Sequence, residues 1–175
     1  MARIRFIKKK EPKGPRFTDA SAVQYIAARL IGKYHTHLAE AKIAYRFRHG
    51  TWKLNGRTIF GKATKISGLN KELSGYDFAI TINADYWHTM KPEIQEALVD
   101  HELSHCGAGI EDADGNPKWI IYPHDTEDFV SVIRRHGLWT PELSKLAKAA
   151  SEHDQQLKLI NLDEVRGQSQ QAAND

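Results

Sequence analysis

The stretch Pro92–Ile110, PEIQEALVDHELSHCGAGI, contains His101-Glu102-Leu103-Ser104-His105. On a helix of about 3.6 residues per turn, positions four apart share a face, so His101 and His105 can turn their imidazoles toward one metal ion. Glu102 sits about 100° further round, close enough to that face to hold a metal-bound water without ligating. It is the candidate general base, and His101 and His105 are two candidate ligands for Zn2+. The neighbouring residues agree with a helix. Pro92 suits a first turn, Glu93 and Glu96 favour the N-terminal end, and Gly107 and Gly109 offer places to stop. Val99, Leu103, Cys106 and Ile110 form an apolar stripe away from the histidines, so one face packs and the other is left for chemistry.

Zinc takes a third nitrogen or oxygen donor and keeps a fourth position for water. Pro123–Phe129, PHDTEDF, reads as the start of another helix, with Asp125 as cap and Asp128 three residues on, ahead of Phe129, Val132, Ile133 and His136. His124 is the first choice for the third ligand. Glu127 is the alternative, with Asp125 and Glu111 behind it, and an acid that does not ligate can accept a hydrogen bond from a ligating imidazole and fix its tautomer. His136, on the apolar side of that helix, is expected in the core or beside the site.

Working outward, Tyr76, Phe78, Ile80 and Ile82 alternate with Asp77, Ala79, Thr81 and Asn83, the cleanest strand pattern in the chain. Trp87 and His88 follow it and either pack or line a cleft. Ile43, Tyr45 and Phe47 alternate with Arg46 and Arg48 in a second strand closed by His49-Gly50. Asn55-Gly56 signals a tight turn into a strand over residues 57–66, with Gly61 as a bulge. Thr18 reads as the N-cap of a helix over about residues 19–35, whose end carries His35 and His37 as solvated histidines. Past the metal helix, Glu111–Pro117 is a turn cluster without the length or closing glutamate of a calcium loop, and Trp119–Tyr122 returns as the second arm of a hairpin. Pro141 to about Leu159 is a last helix.

Composition bounds the rest. The chain has 175 residues, 41% apolar and 27% charged, which suits one catalytic domain over residues 17–160. Residues 1–16 hold seven Lys or Arg against one Glu, a basic arm that can touch nucleic acid phosphates, and residues 161–175 read as a polar, disordered tail. There is no secretory leader and no apolar run of membrane-spanning length, so a cytoplasmic location is expected. Cys106 is the only cysteine; no internal disulfide can form, and its place on the apolar stripe suits a buried small hydrophobe.

The runs Gly75–Asn83 (GYDFAITIN), Ala97–Cys106 (ALVDHELSHC), His124–Phe129 (HDTEDF) and Arg135–Trp139 (RHGLW) resemble the family of putative phage metallopeptidases and, more loosely, SprT-like minimal zincins. The resemblance spans roughly residues 60–139. It implies a zinc peptidase, and for a phage-encoded chain the host cytoplasm. It also implies that the strand before the metal helix borders the cleft, where an extended peptide can pair with its free edge. The expected fold is therefore an α+β minimal zincin: a small, mostly antiparallel sheet, one covering helix, the HExxH helix and C-terminal helices after it. The expected activity is zinc-dependent hydrolysis of a peptide or protein substrate. Tyr122 and His88 are candidates for a donor to the oxyanion. Two rivals stand beside this reading: a non-catalytic, zinc-stabilised binding module, and a DNA-associated SprT-like protease recruited through the basic arm.

Overall fold

Alternation of apolar and polar residues places strand where the sequence predicts it, and burial then sorts the strands. The computed structural model describes residues 14–111 and 117–171. The basic arm through residue 13 and most of the acidic turn cluster thus lie outside the described residues. The chain divides after Pro123 into two compact units.

In the first unit, β1 (Arg16–Asp19), α1 (Ser21–Lys33), β2 (Ile43–His49), a hairpin of β3 (Lys53–Leu54) and β4 (Arg57–Thr58), β5 (Gly61–Lys65), α2 (Gly68–Ser74) and β6 (Phe78–Asn83) lead through α3 (Ala84–Trp87) to α4 (Pro92–Ser104). A second hairpin, β7 (Cys106–Ala108) with β8 (Trp119–Ile121), follows. The main sheet has the order β1-β2-β6-β5, with β2 and β6 parallel and both outer pairings antiparallel. The fold is α+β, as expected. One expectation fails: β6 is flanked on both sides and has no free edge, so the edges of this sheet are β1 and β5. The reason is burial, because Phe78, Ile80 and Ile82 are all 0% exposed and a strand so apolar on its inner face belongs at the centre.

Those three side chains meet Val23, Ala27 and Leu30 of α1 and Val99 and Leu103 of α4, so both helices lie on one face of the sheet. Trp87 is buried and packs against Phe47 at 5.7 Å between ring centroids, which settles it as core. Cys106 is likewise buried; desolvation, with the Glu102 charge second, pushes its thiol up to about 12 and leaves it an inert hydrophobe at neutral pH.

Three local expectations change. Thr18 is a strand residue whose Oγ1 hydrogen-bonds the His49 ring at 2.9 Å, and α1 begins after Ala20 without a side-chain cap. The strand expected over 57–66 is broken, since Asn83 Nδ2 donates to Ile59 O at 2.9 Å between β4 and β5. Asn55 and Gly56 do adopt left-handed φ of 50° and 78°, as a two-residue hairpin turn requires. Finally, α4 stops at Ser104 and the chain turns into β7, so Ile110 falls off the apolar stripe and is 89% exposed. Strand pairing with β8 overrides continuation of the helix.

In the second unit, α5 is Val130–His136 and α6 is Pro141–Gln171. The first begins four residues later than the Asp125 cap implies, because the cap position is Phe129 and the Asp128 carboxylate accepts from Phe129 N at 2.6 Å and from Trp139 Nε1 at 2.7 Å. None of its residues is buried and His136 is exposed, so the expectation of a core histidine does not hold. Thr140 Oγ1 accepts from Leu143 N at 3.3 Å and starts α6. That helix continues through Gln171, well beyond the expected end near Leu159 and into the stretch read as a disordered tail, since Lys, Gln, Leu, Glu and Arg all favour helix and no proline interrupts them.

Candidate metal centre

His101, on the last turn of α4, and His105, its C-cap, lie with ring centroids 5.0 Å apart and planes at 87°. Positions four apart on one face produce this pairing. A carbonyl can only accept, so the 2.7 Å contact between His105 Nδ1 and Tyr122 O makes Nδ1 the protonated nitrogen. The lone pair of His105 is then on Nε2, the state in which imidazole ligates a metal. Tyr122 N donates back to His105 O at 2.8 Å, so two hydrogen bonds clamp this residue to the end of the β7–β8 hairpin. Trp119, buried and edge-on to Phe78 at 5.7 Å, fixes the hairpin to the sheet. The Tyr122 ring lies over Gly107, where a Cβ would come within 2.8 Å of ring carbons Cδ2 and Cζ. The backbone of Tyr122, rather than its hydroxyl, serves the histidine.

Glu102 is 3% exposed, a rare state for a carboxylate. Its side chain runs along Gly61 at the start of β5: a Cβ there would meet Glu102 Cδ at 2.8 Å and Cγ at 3.0 Å. Gly61 is therefore no bulge but the place where the backbone of an edge strand closes on the acid of the HExxH helix.

Two braces on the residues that flank the motif escape a reading of spacing alone. His35 is buried, and its Nε2 donates to Asp100 Oδ1 at 2.6 Å, one residue before His101. Nε2 of His37 donates to Cys106 O at 3.1 Å, one residue after His105. Both were expected to be solvated; instead they tie the loop after α1 to the two ends of the motif, with their own rings 5.9 Å apart. His88 lies against Phe47, 6.0 Å between centroids.

In the second unit, His124 Nδ1 lies 3.2 Å from Glu127 Oε1. A carboxylate accepts, so Nδ1 donates and Nε2 carries the lone pair, as on His105. Among the described residues, His101, His105 and His124 are the His, Cys, Asp or Glu side chains grouped so that they could hold a metal ion. Three imidazoles, two with a tautomer that offers Nε2, suit the donor chemistry of a divalent transition metal. Asp125, Glu127 and Glu111 are not in that group. No helix among the described residues is long and apolar enough to cross a membrane.

No curated protein and no solved structure matches the chain. A family model does: the one described as putative phage metallopeptidase covers residues 15–151, well over half of the sequence and all of the site just built. The chain belongs to the putative phage metallopeptidase family.

Proposed function

We propose that the chain is a zinc-dependent peptidase that hydrolyses a peptide bond in a peptide or protein substrate, with His101, His105 and His124 as ligands and Glu102 as general base. Zinc held there would supply Lewis acidity toward the scissile carbonyl and the attacking water. Glu102 accepts a proton from that water and passes it to the leaving amine nitrogen, so the carboxylate ends as it began. The observation that carries this reading is the position of Glu102: a carboxylate only 3% exposed, next to His101 in the chain and pressed on Gly61 of an edge strand. An acid next to the two imidazoles is where a general base is needed, whereas a site that only staples the fold does not require one there. Since β5 is the edge beside Glu102, the substrate backbone pairs with β5 and not with β6.

His124 is favoured as third ligand over Glu127 by chain geometry. Tyr122 is clamped to His105, and His124 follows two residues later, within reach of about 7 Å of backbone. Glu127 is already the acceptor of the His124 Nδ1 proton, the part of an acid that orients a ligating imidazole. His124→Ala is therefore expected to weaken zinc far more than Glu127→Ala, whose loss should stay within roughly 10- to 100-fold. A competition titration with a chromophoric chelator measures both, and the reverse order would transfer the third position to Glu127.

Gly61→Ala tests the acid's seat. The added methyl group must displace the flexible end of Glu102, so the variant should fold with at most about 1–3 kcal/mol lost while turnover drops on the order of 10- to 100-fold. Unchanged turnover in a folded variant would show that the seat does not matter.

A further inference from the structure

The sheet face opposite α1 and α4 takes no part in this chemistry. Strand alternation turns Phe17 and Asp19 of β1, Arg46 and Arg48 of β2, and Lys62 and Thr64 of β5 toward that side, and the register places Phe17 beside Arg48 and Lys62 beside Thr81. Phe60, two residues before Lys62, extends the same row, since its carbonyl continues the ladder by accepting from Asn83 N at 2.8 Å. Phe17 is 52% exposed and Phe60 44% exposed, edge-on to Tyr86 at 5.3 Å. The Arg48 guanidinium lies over the Trp52 ring, 4.8 Å from its centroid. Asp19 is the acid among these residues, and its charge is already matched by Arg46.

Charge along the chain points the same way. Residues 1–66 hold sixteen Lys or Arg against three Asp or Glu, net +13, whereas residues 67–175 hold nine against nineteen, net −10. The most basic part of the sequence runs directly into β1, the edge strand that carries Phe17. Basic side chains alone fit any polyanion. Exposed rings between them fit bases that are free to stack, and a four-stranded face is too broad to enter a duplex groove as a helix or two-stranded ribbon does.

We propose that this face binds single-stranded nucleic acid, with phosphates on Arg48 and Lys62 and bases stacked on Phe17 and Phe60. Rings and cations far apart in the linear sequence are brought onto one face by strand pairing. The proposal is independent of the peptidase reading, because Glu102 lies on the other face of the sheet.

The test is fluorescence anisotropy of the full chain with a labelled oligo-dT of about 20 nucleotides, longer than a typical single-strand site, at salt from about 50 to 200 mM. Binding should weaken linearly in log salt. Phe17→Ala and Phe60→Ala should each weaken it roughly tenfold, and Lys62→Glu should flatten the salt slope by about one phosphate contact. Phe17 and Lys62 are exposed, so these two variants should melt with the wild type and decide the matter even if Phe60→Ala unfolds. No binding at the lowest salt would overturn the proposal. So would equal binding of a duplex that ignores both Phe variants, or binding that a triple Lys8, Lys9 and Lys10 to Ala variant abolishes while the sheet variants leave it unchanged.

Discussion

Glu102→Gln should retain a full complement of zinc and the wild-type fold yet lose at least about 100-fold in peptide hydrolysis, the lower end of what general-base catalysis contributes. Glutamine matches the shape of glutamate and can still hydrogen-bond, so it fits the same space against Gly61. It cannot accept a proton at neutral pH. The variant thus separates the two roles that a zinc site can have. In a peptidase, metal content by elemental analysis and melting temperature stay where they were and turnover of an unfolded-protein substrate collapses. In a zinc-stabilised binding module, nothing measurable changes, because that module never asks Glu102 to move a proton. A variant that cleaves as fast as the wild type would assign the activity to another site.

The HExxH half of the candidate centre was legible because it is local. His101, Glu102 and His105 lie within two helical turns, and period 3.6 says which side chains share a face without knowledge of the rest of the chain. What was not legible is what the fold brings from afar. His35 and His37 reach Asp100 and Cys106 O across 65 and 69 residues of sequence, and nothing in their own surroundings distinguishes such a brace from a solvated histidine. Gly61 has the same difficulty: a glycine inside a strand pattern suggests a bulge until Glu102 is seen against it. Alternation showed that Phe78, Ile80 and Ile82 point inward but not that β6 has a neighbour on each side, since the inner face is set by side chains and pairing by the backbone. The end of α4 was misread for the converse reason. A stripe that continues in sequence to Ile110 loses to hydrogen bonds that Cys106–Ala108 make with Trp119–Ile121.

His101→Ala should reduce zinc from about one ion per chain to a trace, and its stability consequence can be isolated. His101 is exposed, so trimming its side chain removes little packing. A large fall in melting temperature that chelation of the wild type reproduces then comes from the lost metal. An ion that binds only the folded state adds RT ln(1 + [L]/Kd), about 4 kcal/mol when free zinc exceeds Kd a thousandfold, which for a chain of this size is a shift on the order of 10 °C. The control is a chelator. With zinc present, wild type should melt well above His101→Ala; with zinc stripped, the two curves should converge, because both then lack the same ion. Curves that stay apart after chelation would mean that the imidazole itself packs. Curves that coincide even with zinc added, together with a wild-type chain that carries no metal, would remove the premise on which the zinc ligands and the role of Glu102 both depend.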